Sequence, residues 1–259
     1  MLANYHTHTS RCKHASGEDR QYVENAIRNG MQVLGFSDHC PWVYPDGFVS
    51  GTRMMPSELD DYVHSVESLR DEYRRDITIY LGFEAEYIPE LMEAQDRLLA
   101  GYPIDYMILG EHFAEREPFT AYLGQRFQDP AILRNYVDMV IEGMETGRYL
   151  YCAHPDLCGL NDREIYDQEY RRLCSYLKAH SIPVEINLLG VVEHRHYTDP
   201  HFLRLAGEVG CNAIIGCDAH TPDRLEHREG QALCQTMAAQ AGLPLVDFLP
   251  GFGPKHITP

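Results

Sequence analysis

Basic residues are scarce in this chain: 22 Lys and Arg stand against 39 Asp and Glu, a formal charge of −17. That balance excludes a broad nucleic-acid or anionic-membrane surface, because phosphate backbones are gripped largely by Lys and Arg. It does not bar a small anionic substrate, since a cluster of bound cations sets the local sign by itself. No stretch reaches the roughly 18 apolar residues of a membrane span. The opening Met1-Leu2-Ala3-Asn4 lacks a basic region followed by an apolar one, so no signal peptide is expected and a cytoplasmic location is. The eight cysteines, at 12, 40, 152, 158, 174, 211, 217 and 234, contain no C-x-x-C pair. A disulfide framework and a thiolate zinc site are thereby disfavoured, and buried free thiols are expected. Long linkers, short repeats and low-complexity tracts are also missing.

What is present suits one soluble domain over residues 1–259: 44% apolar and 24% charged residues in 259, a normal size for an α/β barrel. Seven short runs read as strands, rich in β-branched and aromatic residues: Leu2 to His6, Val33 to Ser37, Ile77 to Phe83, Tyr106 to Leu109, Tyr149 to Ala153, Val184 to Asn187 and Ala213 to Cys217. Most are apolar on successive residues, the pattern of strands covered on both faces. Helical patterns alternate with them. Ser57 with Asp60 forms a capping-box-like entry to a stripe at Leu59, Tyr62, Val63, Val66, Leu69 and Tyr73. Asp129-Pro130, Asp199-Pro200 and Thr221-Pro222 each place a cap and a first-turn proline before an apolar stripe, and Gly147 is the expected stop of the first. Weaker patterns span Arg20 to Asn29, Arg163 to Ala179 and Glu90 to Ala100. The alternation predicts parallel strands joined by crossovers, closing as a distorted seven-stranded (β/α)7 TIM-like barrel; an open doubly wound sheet is the alternative. The longest irregular segment, Cys40 to Pro56, is expected to be a substrate loop.

Chemistry concentrates at the ends of these strands. His6 and His8 flank Thr7, so in an extended segment both imidazoles face one side, about 7 Å apart. A short apolar run ending in His, Asp or Glu recurs at Ser37-Asp38-His39, Gly82-Phe83-Glu84, Gly110-Glu111-His112, Ala153-His154-Pro155 and Asp218-Ala219-His220, with His14 close behind the first pair. In a parallel barrel functional side chains lie at the carboxyl ends of the strands, where all of these fall. Imidazole and carboxylate donors without thiolate suit Zn²⁺, Mn²⁺ or Fe²⁺, and nine of them exceed what one tetrahedral ion needs; two to three divalent ions are expected. His64, His180, His201, His227 and His256 fall on helices, at element ends or in the tail and are expected to be structural or solvated. Asp38 and Glu111 neighbour ligands and could accept a hydrogen bond from them or carry a proton.

The ordered set of HTH, SDH, GFE, GEH, AHP and DAH resembles the polymerase and histidinol phosphatase (PHP) family, and within it the monofunctional branch similar to histidinol phosphatases. The resemblance spans essentially the whole chain. It implies a trinuclear site in a distorted seven-stranded barrel. By it, His6, His8, Glu84 and Asp218 would hold a first ion, Glu84 would bridge to a second held by His112 and His154, and His14, His39 and His220 would hold a third. Catalysis would depend on Glu84, Asp218 and His220. It further implies a metal-dependent phosphatase of a small phosphomonoester, L-histidinol phosphate of histidine biosynthesis foremost, acting through a metal-bridging hydroxide. The alternatives are another phosphate mono- or diester, or an amidohydrolase-like metal hydrolase. The bridging lysine such hydrolases commonly use is missing from Ile108-Leu109-Gly110-Glu111-His112. A substrate phosphate also needs a cationic side chain. Arg53, in Gly51-Thr52-Arg53-Met54, comes first and Arg195 second, ahead of Arg11 and Lys13. Oligomeric state and native metal are open at this level.

Overall fold

The computed structural model describes residues 1–255. The chain falls into two compact units, one made of Met1–Ile108, Cys217–His227 and the chain from Asp247, the other of Leu109–Gly216 and Arg228–Val246.

In the first unit β1 (Ala3–Asn4) pairs in parallel with β2 (Val33–His39), Ala3 against Val33. Strand β2 runs parallel to β3 (Thr78–Ala85), in a register that sets His39 opposite Glu84. Helices α1 (Asp19–Arg28), α2 (Leu59–Glu72) and α3 (Pro89–Leu99) alternate with these strands, and β4 (Tyr106–Leu109) completes the order β1-β2-β3-β4. The result is an α/β fold with a curled, parallel half-barrel sheet of four strands. Every residue of β2, β3 and β4 is buried, as their unbroken apolar runs predict. Helix α2 buries Leu59, Tyr62, Val63, Val66 and Leu69, the predicted stripe. Its entry differs from the expected box: the Glu58 carboxylate accepts the Met55 backbone N–H at 2.7 Å, and a 3₁₀ turn, Pro56–Glu58, precedes the helix.

The Tyr106 ring lies against Gly35 and Gly82 of this sheet, its hydroxyl donating to the carbonyls of Tyr5 (2.8 Å) and Phe36 (3.1 Å). A Cβ added at Gly35 or Gly82 would collide with that ring. Gly82→Ala is therefore expected to lower stability by about 1–3 kcal/mol through overpacking, read as a reduced midpoint in chemical denaturation.

In the second unit β5 (Arg126–Phe127) pairs in parallel with β6 (Gly159–Leu160), separated in sequence by α4 (Pro130–Glu145). After α5 (Arg163–Ala179), β7 (Val184–Asn187) is followed by α6 (Leu188–Val192) and α7 (Pro200–Val209). Strand β8 (Ala213–Gly216) lies parallel to β7, and α8 (Arg228–Ala241) packs on α7. The predicted caps hold: Asp129 accepts Ala131 N–H (2.9 Å), Asp199 accepts His201 N–H (2.9 Å), and Gly147 follows α4 with φ 69°.

Three expectations are corrected. Tyr149 to Ala153 is not a strand but a single bridge, Leu109 N–H to Tyr151 O (2.9 Å) and Ala153 N–H to Leu109 O (2.8 Å), because the chain turns away at His154 with φ 31°. Thr221-Pro222 opens a 3₁₀ turn, Pro222–Glu226, and α8 starts only at Arg228. Helix α6 was not foreseen; the Asn187 side chain caps it by accepting Gly190 N–H at 2.9 Å. The eight cysteines are free and buried. Among the described residues no helix is long and apolar enough to cross a membrane.

Candidate metal centre

In the first unit the site is built by threading residues 4–9 between β2 and the segment after β8. Thr7 O accepts Ser37 N–H (2.8 Å), while His8 N–H donates to Ala219 O (3.0 Å) and Ala219 N–H to His6 O (3.2 Å). The buried Asn4 amide ties the start of this thread. Its Nδ2 donates to His6 O (3.1 Å) and Thr7 Oγ1 (2.6 Å), and its Oδ1 accepts Cys217 N–H (2.8 Å). The HTH pair is thus flanked by Asp38-His39 on one side and Asp218-Ala219-His220 on the other, with Glu84 at the next strand end.

Four donors converge. His8 Nε2 is 3.2 Å from Asp218 Oδ1 and 3.5 Å from Glu84 Oε2, and His6 Nε2 is 3.5 Å and 3.6 Å from the same two oxygens. Tetrahedral bonds of about 2.0–2.2 Å put neighbouring ligand atoms about 3.3–3.6 Å apart. Three of these edges match that spacing and exceed ordinary hydrogen bonds, and the fourth, at 3.2 Å, lies at the boundary between the two. His39 Nδ1 stands 3.1 Å from the same Glu84 Oε2, so this oxygen faces three imidazoles. Beyond it, His14 Nε2 and His220 Nε2 are 2.9 Å apart, and the His14 and His39 rings lie 5.3 Å apart. Seven of the nine predicted ligands are gathered in this unit.

The electrostatics follow from the crowding. Burial opposes charge on Asp218, but His6, His8 and His220 overcome it and hold the carboxyl well below its ordinary range. Burial likewise disfavours the protonated imidazole of His8, yet the facing carboxylates of Asp218, Asp38 and Glu84 raise its pKa to about 9. Burial, then the neighbouring His8, drives His220 down to about 3. Asp38 accepts the Thr9 hydroxyl and the His39 N–H (2.8 Å), with Oδ1 3.5 Å from His8 Nδ1. Cys12 is a nearby donor the sequence did not flag, within 4.8 Å of ring nitrogens of His14 and His220. Burial and then Asp38 raise its thiol far above the usual range, which disfavours a thiolate there.

The other two predicted ligands belong to the second unit, where the His112 and His154 rings lie 5.0 Å apart. Tyr122 stacks on His112, and Tyr197 packs 5.8 Å from His154. Glu111 is fully buried.

The expected phosphate ligands each pair within the chain. Arg53 is buried, with Nη1 3.0 Å from Glu86 Oε2 and Nη2 2.8 Å from Glu86 Oε1. Trp42 Nε1 also donates to Glu86, at 3.0 Å. Both terminal nitrogens of Arg53 join Glu86 in a buried ion pair that anchors the Cys40–Pro56 loop. That loop borders a cavity of about 290 Å³ lined by Trp42, Tyr44, Phe48, Arg53, Met54 and Met55. Arg195 is held by Glu193 (2.7 Å) and the Tyr197 hydroxyl (2.7 Å). Arg11 pairs with Asp19 and Asp61, and Lys13 donates to Ser50 O at 2.6 Å. Of the histidines expected to be structural, His64 is exposed and His180 closes α5 on Tyr176 O (2.9 Å), but His201 has an acidic partner in Asp167 (2.5 Å). His256 lies outside the described residues. Asn4 and Glu86 were missed. Each carried a signal, a polar residue inside or just beyond a strand that is otherwise apolar.

The chain is 26% identical over 242 residues to a "Probable histidinol-phosphatase" of Deinococcus radiodurans, covering 90% of this chain and 91% of that protein. It is 34% identical over 126 residues to the histidinol-phosphatase of Bacillus subtilis, 46% of each. The crystal structure of the histidinol phosphate phosphatase of Lactococcus lactis, complexed with zinc, L-histidinol and phosphate, matches 95% of both chains at 17% identity with a TM-score of 0.70. A model of the PHP domain matches residues 4–189, and the chain belongs to that family.

Proposed function

We propose that the protein is a metal-dependent phosphatase of L-histidinol phosphate, acting in the cytoplasm on that small phosphorylated substrate. The observation that carries this reading is the set of four cage edges of 3.2–3.6 Å joining His6, His8, Glu84 and Asp218. Two imidazoles and two carboxylates, all buried, are the donor set of a hard-to-borderline divalent ion such as Zn²⁺, Mn²⁺ or Fe²⁺. His14, His39 and His220 are proposed for a further ion, and His112 and His154 for another, two to three in all. The family match runs through both units, which supports one catalytic domain over residues 1–259 and the seven-stranded barrel proposed for it.

Ions held there would supply a water of lowered pKa and polarise the phosphoryl oxygens. The chain's own residues do the positioning. Asp38 faces His8 Nδ1, which leaves the Nε2 lone pair for the cation, and the Thr9 hydroxyl and His39 N–H steady Asp38 in turn. The loop anchored by Arg53, Glu86 and Trp42 is proposed as the substrate loop, with Arg53 and then Arg195 as the proposed cationic partners of the phosphate.

Purified protein loaded with Mn²⁺, Zn²⁺ or Fe²⁺ is expected to hydrolyse histidinol phosphate faster than sugar phosphates or other amino-alcohol phosphates. A chelator should abolish that activity, and a divalent cation should restore it. Cleavage of a dinucleotide alone would overturn the monoesterase reading, and activity indifferent to chelation would overturn the metal site.

A further inference from the structure

In the second unit a fully buried carboxylate stands behind one of the proposed ligands. Glu185, on β7, is 0% exposed. Its Oε2 accepts the His154 backbone N–H at 2.7 Å and Asn187 Nδ2 at 3.0 Å, and its Oε1 accepts the Tyr151 hydroxyl at 3.3 Å. The register pairs Asn187 with Gly216, and a Cβ at Gly216 would fall on Glu185 Oε1. The neighbouring strand therefore gives up a side chain to make room for this carboxylate.

Burying a carboxylate is costly unless donors surround it, and here each of these partners is a donor. The group it holds most closely is the backbone of His154, which sits at φ 31°, in the left-handed region that an L residue occupies only under restraint from its surroundings. On the far side of that turn the Tyr136 hydroxyl donates to Pro155 O at 3.1 Å. The His154 turn is thus clamped from both ends, and the clamp fixes the direction in which the imidazole leaves the backbone.

We infer that Glu185 is a positioning residue for the metal site: it holds the His154 turn so that this imidazole and that of His112, 5.0 Å away, present their nitrogens to one cation. The inference rests on the proposal that His154 is a ligand. Outer groups of this kind typically change metal affinity or activity by about 10–100-fold when removed. The role is geometric, so an amide in the same place can meet it. In Glu185→Gln the carbonyl oxygen can still accept from His154 and Asn187 while the NH₂ faces Tyr151, whose hydroxyl can turn to accept.

The experiment is a Zn²⁺ titration of the intact chain by calorimetry, with bound metal counted by elemental analysis and folding followed by near-ultraviolet circular dichroism. Glu185→Ala is expected to weaken one class of site by about 10–100-fold, with Glu185→Gln restoring most of it. Glu185→Ala that binds every ion with unchanged affinity would overturn the inference, as would Glu185→Gln losing as much as Glu185→Ala, which would make the charge and not the clamp the cause. His154→Ala separates this from the parent proposal. If it too leaves the count and affinities untouched, His154 is not a ligand and that proposal fails. If it loses an ion while Glu185→Ala does not, only the positioning role fails. Should Glu185→Ala not fold, the Glu185→Gln and Glu185→Asp pair decides. Asp carries the charge on a shorter arm, so the inference expects Gln to keep the ion and Asp to lose it; the reverse order overturns it.

Discussion

Replacing Glu84 with alanine is expected to lower kcat by about 10³-fold or more and to release metal, because several kcal/mol of transition-state charge stabilisation at such a centre come from the ions. One carboxylate oxygen, Oε2, stands 3.6, 3.5 and 3.1 Å from nitrogens of His6, His8 and His39. An anion facing three imidazoles cannot be replaced by a methyl group without leaving the proposed cations short of charge and of a donor. Glu84→Gln keeps the shape and removes the charge, and it should follow alanine in losing metal. Elemental analysis of the purified variants beside kcat measurement checks both. A Glu84→Ala protein with the full metal complement would sink the ligand scheme.

Arg53→Ala is expected to act mainly on stability, lowering it by about 3–5 kcal/mol, since it strands Glu86 as a buried charge. The pair is 4% and 3% exposed in its side chains and is joined by two hydrogen bonds, with Cys40 O (3.3 Å) and Trp42 Nε1 (3.0 Å) completing the surroundings. Removing both members, as in Arg53→Met with Glu86→Leu, should recover much of the loss, because no unpaired charge is left. Thermal or urea denaturation measures this, with KM determined alongside. A raised KM with unchanged stability would make a phosphate contact, and not the ion pair, the main role of Arg53.

Local rules carried much of the fold because they act over a few residues. Asp129-Pro130 and Asp199-Pro200 start helices where they do because the carboxylate meets an otherwise unpartnered N–H and proline needs none. The same dipeptide logic failed at Thr221-Pro222, where only a 3₁₀ turn forms and Thr221 makes no side-chain cap. Doubly covered strands were legible at β2, β3, β4, β7 and β8 from apolar runs. Tyr149 to Ala153 has a similar composition but meets its partner at one residue, and strand identity depends on that partner.

The candidate site divides in the same way. Residue type and order were enough to single out His6, His8, His14, His39, Glu84, Asp218 and His220 as candidate donors, because a cation demands donors that few other roles would gather at strand ends. Their convergence in the first unit was decided by the pairing of residues 4–9 with Ser37 and Ala219, a contact across more than 200 positions that no local pattern encodes. The supporting groups were invisible for the same reason. Glu185 reads as one polar residue in Val-Glu-Ile-Asn until β8 supplies a glycine beside it and His154 an N–H, and the Glu86 partner of Arg53 is just as hidden until the loop folds onto it. Sequence settles which atoms can bind a metal, since that is chemistry of the side chain. Which cations are already neutralised, and which ligands are held still, depends on neighbours that only the folded chain brings within about 3 Å.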